Sequence, residues 1–185
     1  MYKFITALIC FLYLTPVVVA KGIYQTKEQF ISHAFTGNVP KAKVLWLNSE
    51  DKKVIADILS HQYKRLRIHY WQNELQAGVQ QNAIFENKDS VWILDEIGKE
   101  KPITIGIHIK NQQIVELKVL AFRESRGDEV RHEFFTSQFN AVKLTSENKL
   151  NQHIDGITGA TLSVRALTKV ARLALWLNKK VNTEQ

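Results

Sequence analysis

Four isoleucines at alternate positions, Ile103, Ile105, Ile107 and Ile109, constrain this chain more than any other feature. Side chains alternate across a strand, so this spacing predicts a strand with one continuous apolar face. Asn111-Gln112 supplies a turn signal. Residues 114–122 follow, with Val115, Leu117, Val119 and Ala121 alternating against Glu116, Lys118 and Leu120. The two runs read as an antiparallel hairpin whose outer face is partly polar. Residues 67–71 and 90–94, rich in aromatic and β-branched side chains, read as further strands.

Helical patterns flank these strands. Residues 21 to about 62 are expected to be helical with loops. Thr26 and Gln29 stand in capping-box positions, and Gly37-Asn38-Val39-Pro40 breaks the first helix. Val44-Leu45-Trp46-Leu47 is a short apolar run, and Ser49 precedes a second helix over about 50–60. A short helix is expected over about 131–139, packing through Phe134, Phe135 and Phe139, and 141–155 reads as loop. The last helix spans about 164–179. Val164, Leu167, Ala171, Ala174 and Leu175 lie on one side, Arg165, Lys169 and Arg172 on another. The fold class is α+β: an antiparallel sheet with a central hairpin, packed by helices, plus an N-terminal helical extension.

The N-terminus reads as a targeting segment. Lys3 gives a positive start, residues 4–14 form an apolar run containing Cys10, and Val18-Val19-Ala20 resembles a small-residue cleavage site. Thr15-Pro16 breaks the run, which is short against the ~20 residues of a spanning helix. Residues 1–20 are therefore expected to be a cleaved secretory signal, with a retained anchor as the alternative. Cleavage would remove Cys10, the chain's single cysteine, and leave no disulfide, thiolate metal site or cysteine nucleophile. Any redox role would then need an added cofactor. The net charge of +7 is spread along the chain apart from residues 64–67. That describes a soluble basic surface, which would also suit anionic lipid headgroups in a peripheral membrane contact or an acidic partner. No nucleic-acid motif accompanies it, so no nucleic-acid partner is expected. The six histidines show no metal-ligand spacing, and no nucleotide-cradling glycine loop is present.

The chemistry concentrates in Asp155-Gly156-Ile157-Thr158-Gly159-Ala160-Thr161-Leu162-Ser163, which runs into the last helix. Small residues let a bulky ligand approach the backbone. A helix start offers unpaired amide hydrogens and a positive dipole end, both suited to a phosphate. Capping and turn formation are the ordinary uses of the same residues. Asp155 to Thr161 matches at all seven positions the flavinylation motif of the FMN-binding domain family, which it resembles: Asp, two variable residues, Ser or Thr, Gly, Ala, then Thr or Ser. Members include the C subunit of the sodium-translocating NADH:quinone oxidoreductase and the G subunit of the Rnf complex. The resemblance implies FMN joined through a phosphoester to Thr161, with Ser163 as rival acceptor. It implies that a dedicated magnesium-dependent flavin transferase, recognising Asp155, moves FMN from FAD to that hydroxyl. Gly156, Gly159 and Ala160 would leave room for phosphate and transferase, and Thr158 and Ser163 would donate hydrogen bonds to phosphate oxygens.

A second segment, Glu124-Ser125-Arg126-Gly127, matches a family loop that lies near the isoalloxazine ring. Relatives often carry an aromatic residue next, where this chain has Asp128. An acid that is close to the ring and poorly solvated would lower the flavin potential. Trp92 is the preferred tryptophan for flavin proximity, although such residues more often fill cores. The resemblance covers about 90–177. With the targeting reading of the N-terminus it divides the chain into three expected segments: the signal at 1–20, an N-terminal helical extension with the first strand at 21–89, and the FMN-binding domain at 90–180. The implied function is an exported, periplasmic electron-transfer flavoprotein that works with a membrane-bound or periplasmic redox protein. The alternatives are a flavin-dependent reductase acting on a ferric chelate or quinone, and a flavin-free binding module.

Overall fold

The computed structural model describes residues 22–73 and 88–183. The expected targeting segment at 1–20 lies outside the described residues. Five strands, β1 (Ala42–Trp46), β2 (Arg67–Gln72), β3 (Asp89–Ile97), β4 (Pro102–Lys110) and β5 (Gln113–Phe122), form one antiparallel meander in that order. The α+β reading holds, with the antiparallel hairpin of β4 and β5 at one edge of the sheet. Asn111 and Gln112 make its turn with φ of +52° and +61°, the left-handed pair that matches strand twist in two-residue hairpins.

The strand-period argument holds for β4, since Ile103, Ile105, Ile107 and Ile109 are all fully buried. At roughly 1.5–3 kcal/mol for each such side chain, this face is a main source of stability. The outer face is partly polar as expected, with Thr104, His108, Glu116 and Lys118, but two features go beyond the sequence pattern. That face is also covered, because Phe30 of α1 (Lys27–Ala34) packs there with Val91 and Leu120. Gly106 makes room for it: a Cβ there would sit 2.7 Å from the Phe30 ring. Register shifts between β4 and β5 also break the alternation, so Val115 is exposed while Leu120 is buried.

The N-terminal region is less helical than its sequence suggests. Residues 42–46 pair with β2 as strand β1, so two of the five strands come from before residue 89. An apolar run of four residues carries too little periodicity to separate strand from helix. Thr26 and Gln29 do form the capping box of α1, with bonds of 3.0 and 3.1 Å. The second helix, α2 (Ser49–Leu59), is capped instead by Asn48 and Asp51. The expected helix at 131–139 is broken into a 3-10 turn (Asp128–Arg131), the short α3 (Glu133–Thr136) and a second 3-10 turn (Ser137–Phe139). Phe135 and Phe139 are buried there, whereas Phe134 is exposed.

The last helix, α4 (Thr161–Thr183), exceeds its expected span at both ends. It lies across the isoleucine face of the sheet, with α2 alongside. Lys169 Nζ donates to the Leu59 carbonyl at one end of α2, and Lys180 Nζ pairs with the buried Asp51 at 2.9 Å near the other. Under its C-terminal half runs a buried polar ladder. Asn178 Oδ1 accepts from Ser90 Oγ at 2.7 Å, and Gln72 donates to Asn182 at 2.9 Å. These bonds have little freedom to slide, so they fix the register of α4 on the sheet and hence the place of its first residue, Thr161. Among the described residues, no helix is long and apolar enough to cross a membrane.

Candidate functional site

Thr161 is the first residue of α4 and is exposed. The first ladder bond of the helix runs from Val164 N to the Ala160 carbonyl at 2.9 Å. Amide groups in a first turn have no acceptor within their helix. Ala160, just before it, has no polar side chain with which to cap them. The serine or threonine cap expected from sequence is therefore replaced by a methyl group, and the hydroxyl of Thr161 stands beside uncapped amides at the positive end of a helix about 34 Å long.

The loop leading to it is open. A Cβ at either Gly156 or Gly159 would meet nothing within 4 Å. Gly159 has φ +85°, a conformation that side chains other than glycine's rarely adopt, so it shapes the turn into the helix. Thr158 is exposed, and Ala160 is buried and donates to the Ile157 carbonyl at 3.0 Å. Asp155 projects into solvent with its carboxylate 84% exposed, 3.8 Å from His153 Nε2. Its backbone N–H donates to Gln138 Oε1 at 2.7 Å. This open loop, an exposed hydroxyl and uncapped amides fit a phosphorylated ligand held from the protein surface.

The second segment comes to the same place. Gly127, with φ +87°, lies so close to α4 that a Cβ would be 2.7 Å from Ser163 Oγ and 3.5 Å from Ala160 Cα. Ser163 is buried in that contact, which makes it a poor acceptor beside Thr161. Ser125 and Arg126, next to the joint, are exposed. Glu124 holds the neighbouring turn together, since its Oε1 accepts from the amides of Lys99, Glu100 and Lys101 at 2.5, 2.6 and 2.8 Å. Neighbouring Arg123 donates to the Pro102 carbonyl and to Thr104 Oγ1. Together they clip the loop after β5 to the β3–β4 turn. Asp128 is about half exposed and faces Arg131 at 3.4 Å, so its charge is both solvated and partly compensated.

Burial opposes the charged form of Glu124, but the amides of Lys101, Glu100 and Lys99 outweigh it and hold the carboxyl below its ordinary value. A carboxyl with a lowered folded pKa contributes stability that is complete above the ordinary value and is lost as pH falls through the folded one. Glu124→Gln should therefore be less stable than wild type at neutral pH. The gap is about 1 kcal/mol after solvent screening. It should close progressively below about pH 4.5, the ordinary carboxyl value. Urea midpoints across pH 3–7 check this, and parallel curves for the two proteins would remove the role.

The family model for the FMN-binding domain matches residues 98–175. Over these residues the chain is similar to the FMN-binding domain family. The match runs from the turn held by Glu124 through Gly127 and Asp155 to Thr161 and most of α4, so it takes in both segments that meet at Gly127. It supports FMN as the cofactor. No curated protein and no solved structure matches the chain. Strands β1, β2 and β3 lie before the matched span but form one sheet with β4 and β5.

Trp92 does not join this site. It is fully buried, stacks on Tyr70 at 4.8 Å and donates to Ser90 Oγ at 3.0 Å. Ser90 bonds to Asn178, which stands roughly 25 Å along α4 from Thr161 at 1.5 Å per residue. Trp92 is a core residue, as large aromatics in central strands usually are. Sequence reasoning missed Gln138 and the steric lock between Gly127 and Ser163. Neither has a local pattern, since both depend on segments brought together by the fold. Among the described residues, no group of three or more His, Cys, Asp or Glu is placed to hold a metal.

Proposed function

We propose that this protein is an exported flavoprotein whose FMN is esterified to Thr161, and that it relays electrons between a membrane partner and another extracytoplasmic redox protein. The observation that carries the reading is the exposed Thr161 hydroxyl at the start of α4, in a full seven-position flavinylation motif within the span similar to the FMN-binding domain family. In the loading step the Thr161 oxygen bonds to the FMN phosphorus of FAD. The pyrophosphate bond breaks, AMP leaves and the hydroxyl proton passes to solvent. A magnesium-dependent transferase would direct this exchange, with Asp155 as part of what it recognises.

Bound flavin supplies one- and two-electron chemistry. The protein's contribution is to hold it. Gly156 and Gly159 leave space, the first turn of α4 offers amide hydrogens, and Ser125 and Arg126 stand exposed beside the joint at Gly127. A covalent link suits a compartment in which a dissociated flavin is not readily replaced. The signal-like residues 1–20 support export.

Intact mass of the protein co-produced with a flavin transferase tests the proposal. The expected species lacks residues 1–20 and carries one esterified FMN. An exported protein with no added mass would overturn covalent attachment. Retention of the full chain in the cytoplasm would overturn export.

A further inference from the structure

Resting on the attachment proposed above, we infer that Gln138 is a positioning residue for flavin loading: it holds the loop that presents Asp155 to the transferase. Two hydrogen bonds carry the inference. Gln138 Oε1 accepts from the backbone N–H of Asp155 at 2.7 Å, and the Gln138 carbonyl accepts from the side-chain amide of Gln152. One residue thus grips the loop at both its entrance and its recognition acid.

The buried Ile154 anchors the chain just before Asp155, and the Gln138 bond fixes the backbone of Asp155 itself. Its carboxylate is 84% exposed, and the nearby His153 is 87% exposed. Neighbouring Gly156 has open space where a side chain would stand. A carboxylate on such a segment samples many positions unless the backbone beneath it is held. Gln138 is well placed to do so. It belongs to the 3-10 turn at 137–139, next to the fully buried Phe139, which packs edge-on against Phe135 at 5.7 Å. Those rings anchor Gln138 to the core, and Gln138 extends that rigidity to the loop. Asp155 then meets the transferase in one arrangement, and the apparent affinity of the encounter is not divided among conformers.

The experiment is steady-state flavin transfer to the purified full fold, with FAD, magnesium and transferase, scored by in-gel flavin fluorescence and intact mass. Gln138→Leu is expected to lower kcat/KM for the protein substrate about tenfold, mainly through a higher KM. Its thermal midpoint should stay close to wild type. Gln138→Glu keeps an acceptor oxygen for the Asp155 amide and should recover most of the loss. Asp155→Ala gives the lower reference, loading poorly with an intact fold. Equal kinetics for Gln138→Leu and wild type would overturn the positioning role alone. A loss not recovered by Gln138→Glu would also overturn it. A wild-type protein that takes no flavin, or takes it elsewhere than Thr161, would overturn the attachment reading and this inference with it.

Discussion

Thr161→Ala is expected to abolish covalent flavin while leaving the fold in place. Thr161 is exposed and begins α4, whereas the residue before the helix is Ala160. The threonine therefore does not serve as the cap that its type would suggest. Removing an exposed side chain usually changes stability by no more than about 0.5 kcal/mol, and alanine is the better helix former. Loss of the nucleophilic oxygen, by contrast, is absolute for a phosphoester. Ser163 cannot readily substitute, since it is buried against Gly127 two residues further into the helix. Intact mass should show no esterified FMN in Thr161→Ala and full loading in Thr161→Ser. Fluorescent protein after denaturing electrophoresis of Thr161→Ala would place the acceptor elsewhere.

Gly127→Val is expected to lower stability by about 2–5 kcal/mol and to reduce flavin loading with it. Two effects add. The φ of +87° lies in the left-handed region, which costs a β-branched residue roughly 1–2 kcal/mol. The new side chain would also enter the space of Ser163 Oγ, where a Cβ would be only 2.7 Å away. Overpacking of this kind costs typically 1–3 kcal/mol. The two are separable. Ser163→Ala removes the oxygen but not the backbone strain, so adding it to Gly127→Val should recover part of the stability. Urea midpoints of the two single variants and the double variant measure the coupling. Simple additivity would mean that the close approach of the two segments is not what makes Gly127 necessary.

The sequence made some of this legible and hid the rest for physical reasons. The isoleucine run was decisive because period two over the seven residues 103–109 has few other solutions. The capping box of α1 was equally direct, being a four-residue local bond pattern. The missed strand β1 is too short to show a period, and the lost alternation in β5 comes from bulges set by pairing with β4. In the site, Thr161 and Asp155 were legible because they are contiguous in a motif. Glu124 was found by its motif, but its hold on the β3–β4 turn was not, since the amides it binds lie more than twenty residues earlier. Trp92 was misjudged because a tryptophan looks the same in sequence whether it faces Tyr70 in a core or a ligand at a surface.

The position of α4 after all five strands has a consequence for the order of maturation. This helix both closes the isoleucine face and begins with Thr161, the proposed flavin acceptor. Until it is made and docked, the sheet lacks its lid and Gly127 lacks Ala160 and Ser163 to rest against. A chain translocated unfolded would therefore present an assembled modification site only once its core has closed. Flavin would then mark chains that have completed folding, and unmarked protein would measure the fraction that has not.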